Sequence, residues 1–462
     1  MGWPPGKSAR LAAAARLAYR CFPTKEKMNA RRNAAMLNSL LKRALGLERT
    51  VIEGARIEGD SIIVSVRPRR AAPRCPVCGR RCAAYDRLGP RRWRAPDLGA
   101  ARCYLEHAPV RASCPEHGVR TAPVPWARCA SSRFASAFED WVAWLALHMC
   151  RSALAELARV DWHTVGGICA RVEASLEEAD GRGRLDGLRR IGVDETSYKK
   201  GQRYMTVVVD HDRGRVVWAC RGHGKDRLNE FLDLLTDEQR DAIEVVTADG
   251  ARWIADAVAE RLPRAELAAD PFHAVSWATE ALDALRREVW NGLRSAPRPR
   301  RRGGRPRAGE AAPPDPAAAV KGLRFPLLKN PEDLTGRQAS ALEGLRRTGS
   351  ALWRAYLLKE GLRAVFRAGP GEAADELDGW LAWACRSRIP RFVELSRKVR
   401  RKRRGILRSI ELGVSNARVE AVNNKIKVAI RQGYGFRNID NLIALVMLRC
   451  SDLKPALPGR EA

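Results

Sequence analysis

The sequence predicts an α/β protein: a mixed sheet interrupted by an all-helical insertion, preceded by a small cysteine-bearing β element and two helices joined by a short turn. Three observations carry this. Between Ile191 and Ser295 the apolar pattern switches between the two-residue period of strands and the 3.6-residue period of helices. From Leu323 to Ile410 it keeps the helical period alone. Ahead of both, Cys75-Pro-Val-Cys78 and Cys114-Pro-Glu-His117 repeat one close spacing.

Residues 1–35 are rich in Ala and Arg and offer neither a core nor a secretory cleavage pattern. They are expected to form a basic, disordered extension, with Met28 and Met36 as alternative starts. Residues 36–125 open with a helix at LNSLLKRAL and continue with the alternating strands VIEGARIEG and SIIVSVRPR. The strand-like ARCYLEHAPVRA then leads to the second Cys/His pair. Two intervening residues let both side chains of a pair reach one tetrahedral ion. Cys75, Cys78, Cys114 and His117 are therefore expected to hold one structural Zn²⁺, with Cys82 and Cys103 as substitute ligands. In residues 130–178, Leu154, Leu157 and Ala158 precede a turn at Val160-Asp161-Trp162, and Val165, Ile168, Cys169 and Val172 follow it. This is the shape of a helix-turn-helix, whose second helix would offer His163, Thr164 and Arg171 to base edges.

Residues 186–295 predict strands at 191–194, 204–210 and 215–220, with Asp212-Arg213-Gly214 as a hairpin turn. Helix 225–235, strand 243–247, helix 253–262, strand 265–269 and helix 272–295 come next. Residues 296–318 carry Pro, Gly and Arg with almost no apolar side chain, a flexible basic linker. The helical insertion occupies 319–412, and 413–455 supply the last helices of the α/β core. On the first of these, Val419, Val422, Ile426, Ala429 and Ile430 share an apolar face, while Glu420, Asn424, Lys427 and Arg431 form a polar stripe.

Asp194 then closes the first strand, Asp249 follows the fourth, and Glu420 stands on the amphipathic helix. Carboxylates gathered from three elements have few uses except holding hard divalent cations. A pair of Mg²⁺ or Mn²⁺ ions clamps the attacking and leaving oxygens of a phosphodiester, and Lys427 and Arg431 would flank that site as phosphate contacts.

Charge points to the same substrate. The 84 Lys and Arg against 53 Asp and Glu give a net +31 and a pI near 10.5, which attracts double-stranded DNA by counterion release. No apolar run is long enough for a membrane span. Cys150, Cys169, Cys220, Cys385 and Cys450 stand alone in apolar patterns and read as core residues of a protein in a reducing cytoplasm. A metal-dependent nuclease or strand transferase is the leading reading. A non-catalytic, sequence-specific DNA-binding regulator is the alternative, and an RNA-processing nuclease would need no helix-turn-helix.

The order of the CPxC element, the helix-turn-helix, GVDE, TADG, DPFH, SNARVEAVNNKIK and RQGYGFRN resembles the ISL3 family of insertion-sequence transposases over nearly the whole chain. The resemblance implies a ribonuclease-H-like core whose DDE triad falls on Asp194, Asp249 and Glu420, with Asp270 and His273 near the active site. It further implies cleavage at transposon ends and transfer to target DNA, two Mg²⁺ (or Mn²⁺) ions, a homo-oligomer on DNA, and a bacterial, nucleoid-associated location. Two departures stand out: His117 where the family has Cys, and a linker unusually rich in Arg and Pro.

Overall fold

The structure is a computed structural model that describes residues 25–70, 72–248, 251–269, 271–296, 315–413 and 417–459. The chain divides into two compact units, one of Met1–Gly181 with Asp440–Arg449 and Leu453–Ala462, the other of Arg182–Ile439 with Cys450–Asp452.

In the first unit, helix α1 (Lys25–Ala44) starts well inside the segment expected to be disordered. Its Ala, Arg, Lys and Met residues favour helix, and its C-terminal end is anchored where Leu41, with Leu45 just beyond it, joins Val64, Val66, Trp93 and Leu105 in a buried core. Strands β1 (Thr50–Glu58), β2 (Ser61–Pro68), β3 (Ala83–Arg87), β4 (Arg91–Leu98), β5 (Ala101–His107), β6 (Val110–Cys114) and β7 (Gly118–Thr121) make two sheets among the described residues, β1-β2-β5-β4 and β3-β6-β7. ARCYLEHAPVRA is thus two strands. Pro109 has no N–H for a ladder, and the chain changes sheets there. Helices α2 (Ser136–Ala146), α3 (Arg151–Ala158) and α4 (Trp162–Asp180) follow.

The second unit holds β8 (Arg190–Lys199), β9 (Arg203–Asp210), β10 (Arg215–Arg221), α5 (Lys225–Asp233), α6 (Asp237–Asp241), β11 (Val245–Ala248), α7 (Arg252–Arg261), β12 (Glu266–Ala269) and α8 (Pro271–Ser295). Its sheet runs β10-β9-β8-β11-β12, antiparallel across the first three strands and parallel across the last three. Pairing with β9 carries β8 on to Lys199↔Arg203, so Asp194 lies within the strand rather than at its end. Side chains alternate across the sheet. Ile191 and Val193 pack with Phe231 of α5 and Ile254 of α7, which leaves Gly192, Asp194 and Thr196 on the opposite face.

The insertion comprises α9 (Pro316–Gly322), α10 (Arg324–Leu328), α11 (Gly336–Arg346), α12 (Ala351–Val365), α13 (Ala373–Arg386), α14 (Pro390–Arg401) and α15 (Arg403–Glu411). They close a separate core on α8 that includes Leu282, Leu358, Trp380 and Phe392. Helix α9 begins inside the expected linker because Asp315 caps it, accepting from the Ala317 N–H at 2.9 Å, with Pro316 in the first turn. Arg404 and Arg408 of α15 pair with Glu266 of β12, tying the insertion to the sheet edge. Of the solitary cysteines, Cys169 and Cys450 are buried and Cys150 and Cys220 partly so, but Cys385 is exposed beside the core-facing Ala384.

Helices α16 (Ala417–Gln432) and α17 (Ile439–Cys450) end the chain. Both were expected in the α/β core, yet residues 440–449 of α17 group with the first unit, where Asn441 fills the space that Gly166 of α4 leaves by lacking a Cβ. Among the described residues, no helix is long and apolar enough to cross a membrane.

Helix α16 seats on β8 at Gly192. A Cβ there would collide with Val419 Cγ2 and stand 2.7 Å from His211 Nε2. We expect Gly192→Ala to lose about 1–3 kcal/mol by overpacking and to lift α16 from the sheet. Denaturant unfolding checks this; an unchanged midpoint would mean that α16 seats less tightly than described.

Candidate functional site

Two five-residue segments of the same pattern build the first candidate site, Cys75-Pro-Val-Cys78-Gly79 and Cys114-Pro-Glu-His117-Gly118. Gly79 and Gly118 adopt φ of 67° and 68°, the left-handed conformation that turns the chain back after each ligand pair. The second turn joins β6 to β7, and the first is closed by the Cys75 N–H to Arg80 O bond of 2.9 Å. The four ligand atoms lie within 4.8 Å of one another. Cys78 Sγ and Cys114 Sγ are 3.8 Å apart, and Cys114 Sγ is 3.6 Å from His117 Nδ1. A tetrahedron with metal–sulfur bonds near 2.3 Å has edges of about 3.8 Å, so the spacing fits a metal ion. His117 lowers the Cys114 thiol to about 6, favouring the thiolate that a metal needs. Cys103 is buried in the neighbouring core and lies outside the cluster, and Cys82 is not one of the four ligands.

Helices α3 and α4 form the second. Arg159 ends α3 in the left-handed conformation, and its guanidinium bonds Ala100 O at 3.0 Å. Asp161 caps α4 by accepting from the His163 N–H at 2.7 Å, which lowers its carboxyl. His163 is exposed and Thr164 half-buried in the first turn of α4. Arg171 is not on that outward face. It reaches Glu139 of α2 at 2.7 Å, and Arg128 reaches the same carboxylate at 3.4 Å. Glu139 is fully buried, and a buried carboxylate left uncompensated is costly, so Arg171 is committed to the helix core.

The third lies on the sheet. Asp194 is half-buried; its Oδ1 accepts from the Glu195 N–H at 2.8 Å and its Oδ2 from Asn423 Nδ2 of α16. Asn423 is buried, and its Oδ1 accepts from Thr196 Oγ1 at 2.5 Å. Val419 over Gly192 and Asn423 over Asp194 anchor α16 along β8. The two spacings match, since four helical residues rise about 6 Å and two strand residues about 6.6 Å. Glu420 follows Val419 and is exposed, as are Asn424, Lys427 and Arg431. Beneath Gly192, His211 Nε2 and Thr247 Oγ1 are 2.6 Å apart, and burial pushes the imidazole down to about 4, so it is neutral near pH 7. Strand β11 is described to Ala248, which pairs with Val193. Asp249 and Asp270 lie outside the described residues, and His273 is half-buried in the first turn of α8.

Known proteins resemble this chain in sequence. A transposase family, the DDE type of ISL3, matches residues 191–446, and the helix-turn-helix domain of transposase family ISL3 matches residues 122–173. The chain is 47% identical over 435 residues to the transposase for insertion sequence element IS1557 from two strains of Mycobacterium tuberculosis, covering 91% of this chain and 97% of that protein. It is 27% identical over 401 residues to the transposase for insertion sequence element IS1001 of Bordetella parapertussis, covering 85% of this chain and 92% of the relative. The chain belongs to the ISL3 family of transposases. As a transposase it cleaves and transfers DNA strands, which sets aside a purely regulatory role, and its helix-turn-helix is a DNA-binding domain.

Sequence reasoning missed Asn423 in this transposase. At about 100° per residue it falls some 40° from Val419, between Ile430 on the apolar arc and Lys427 on the polar stripe. An amide on that border was the available signal. Its partner, 229 positions away, was not visible.

Proposed function

We propose that the transposase holds two divalent cations with Asp194, Asp249 and Glu420 on a ribonuclease-H-like sheet, and one structural Zn²⁺ with Cys75, Cys78, Cys114 and His117. The observation that carries the first part is the seating of α16 along β8, which joins the helix of Glu420 to the strand of Asp194 through Val419 and Asn423. The parallel register adds support, because Ala248 and Val193, the residues before Asp249 and Asp194, are partners. Asp194 suits a cation because it is a half-buried carboxylate whose oxygens are oriented by the Glu195 N–H and by Asn423 Nδ2.

Bound divalent ions supply an activated water and neutralise charge on the phosphodiester. The protein's own groups do the rest. Asn423 fixes the carboxylate plane of Asp194, and Thr196 in turn orients the Asn423 amide. Lys427 and Arg431, on the exposed stripe beyond Glu420, would meet phosphates, while His163 and Thr164 would meet bases from α4. His273 would act from α8 near the same acids. Arg171 is withdrawn from the DNA contacts because Glu139 holds it.

The test is cleavage of a duplex carrying the element's ends, titrated with Mg²⁺ and compared with RNA of the same sequence. Wild type should cut only the duplex. Asn423→Ala should raise the Mg²⁺ requirement about 10–100-fold, the usual cost of removing a group that orients a metal ligand. Cleavage of RNA alone, or an unaltered Mg²⁺ requirement in a folded Asn423→Ala protein, would overturn this reading.

A further inference from the structure

The first unit contains a cleft of about 830 Å³ between the end of the β1-β2-β5-β4 sheet and the β3-β6-β7 sheet of the Cys/His turns. Arg49, Arg67, Arg69, Arg70, Arg74 and Arg87 line it, and all six are exposed. Their pairing is unlike that of two arginines on the first of these sheets, Arg56 and Arg92. Arg56 and Arg92 are matched by Glu58 and Glu106 at 2.8–3.0 Å. In the cleft, Arg67 meets Glu53 at 3.0 Å and Arg74 bonds the Gly79 carbonyl at 2.6 Å. Among the described residues no carboxylate pairs with Arg49, Arg69, Arg70 or Arg87.

Like charges converging on one concavity repel, and an anion seated there relieves that repulsion. Arg49 adds a second observation. Its φ of 51° is a left-handed conformation that glycine would adopt without strain, yet the position carries an arginine aimed at the cleft. The Arg49 carbonyl also accepts from the Arg69 N–H at 2.8 Å, which fixes two of the cationic residues relative to each other.

We infer that this cleft binds the phosphate backbone of DNA, as a contact surface separate from α4 and independent of base sequence. The inference rests on the chain being a transposase and not on the proposed carboxylate triad. Guanidiniums that touch phosphates add affinity without reading bases, so their removal should weaken binding to all sequences alike.

The experiment uses the full-length protein, a duplex carrying the element's end and a duplex of arbitrary sequence, with affinity measured across a range of salt. Each phosphate contact contributes about 0.9 to the slope of log affinity against log salt. Changing Arg49, Arg69, Arg70 and Arg87 together to Gln should make that slope shallower by roughly 2–4 on both duplexes. Bound metal at the Cys/His site reports folding. If the quadruple variant loses that metal, Arg69→Gln and Arg87→Gln singly should each reduce the slope by about one. Unchanged slopes in a metal-loaded variant would overturn the inference. So would a loss confined to the element's end, which would assign the arginines to orienting the helix-turn-helix. Loss of inorganic pyrophosphate binding with both DNA slopes intact would make the cleft a small-anion site and overturn it too.

Discussion

Asp194→Ala should abolish Mg²⁺-dependent strand cleavage while the protein still binds the element's ends. The carboxylate is half-buried on β8 and held by Asn423 and the Glu195 N–H, so its loss removes a cation ligand already fixed in place. Metal stabilisation of a phosphodiester transition state is worth several kcal/mol. At about 1.4 kcal/mol per factor of ten, a fall of roughly 10³-fold or more is expected. Asp249→Ala and Glu420→Ala should give similar losses, and a double variant little more, because ligands of one site act as a unit. Binding should persist because α3 and α4 belong to a different compact unit from β8 and α16. Cleavage and binding must be measured on the same preparations. Wild-type cutting by Glu420→Ala would make Glu420 a surface acid. Joint loss of folding and binding in all three variants would make the acids structural.

Replacing Cys75 and Cys78 together by Ser should strip the metal from the Cys/His site and disorder the β3-β6-β7 sheet. That sheet has three short strands, and its β6–β7 hairpin turn is one of the two ligand turns. Structural zinc in small finger domains contributes on the order of 10–16 kcal/mol, far more than so small a sheet can replace. Metal analysis of wild-type protein should find about one equivalent of zinc per chain. The double variant should contain none, and the sheet should become susceptible to proteolysis. Full zinc retention in the double variant would mean that the ion is held elsewhere.

Local pattern was enough for features whose cause is local. The repeated Cys-Pro-x-Cys/His-Gly turn, the Asp212-Arg213-Gly214 hairpin and the apolar arc of α16 depend on neighbours within a few residues, and each is readable in the sequence. The same holds for α4, whose N-terminus follows from Asp161 as a cap. Tertiary structure decided what depends on a distant partner. Arg171 has the sequence context of an outward residue on a DNA-reading helix, but Glu139, 32 positions earlier, needs a cation where it is buried. Strand β8 runs past Asp194 because β9 offers it ladder partners as far as Arg203, with one irregularity after Ser197. Residues 440–449 of α17 continue a segment expected in the α/β core, but they group instead where Gly166 leaves room for Asn441. Asn423 looked like one more polar residue of an amphipathic helix. Only the meeting of α16 with β8 turned it onto Asp194, because a buried amide must find its hydrogen-bond partners wherever the fold has put them.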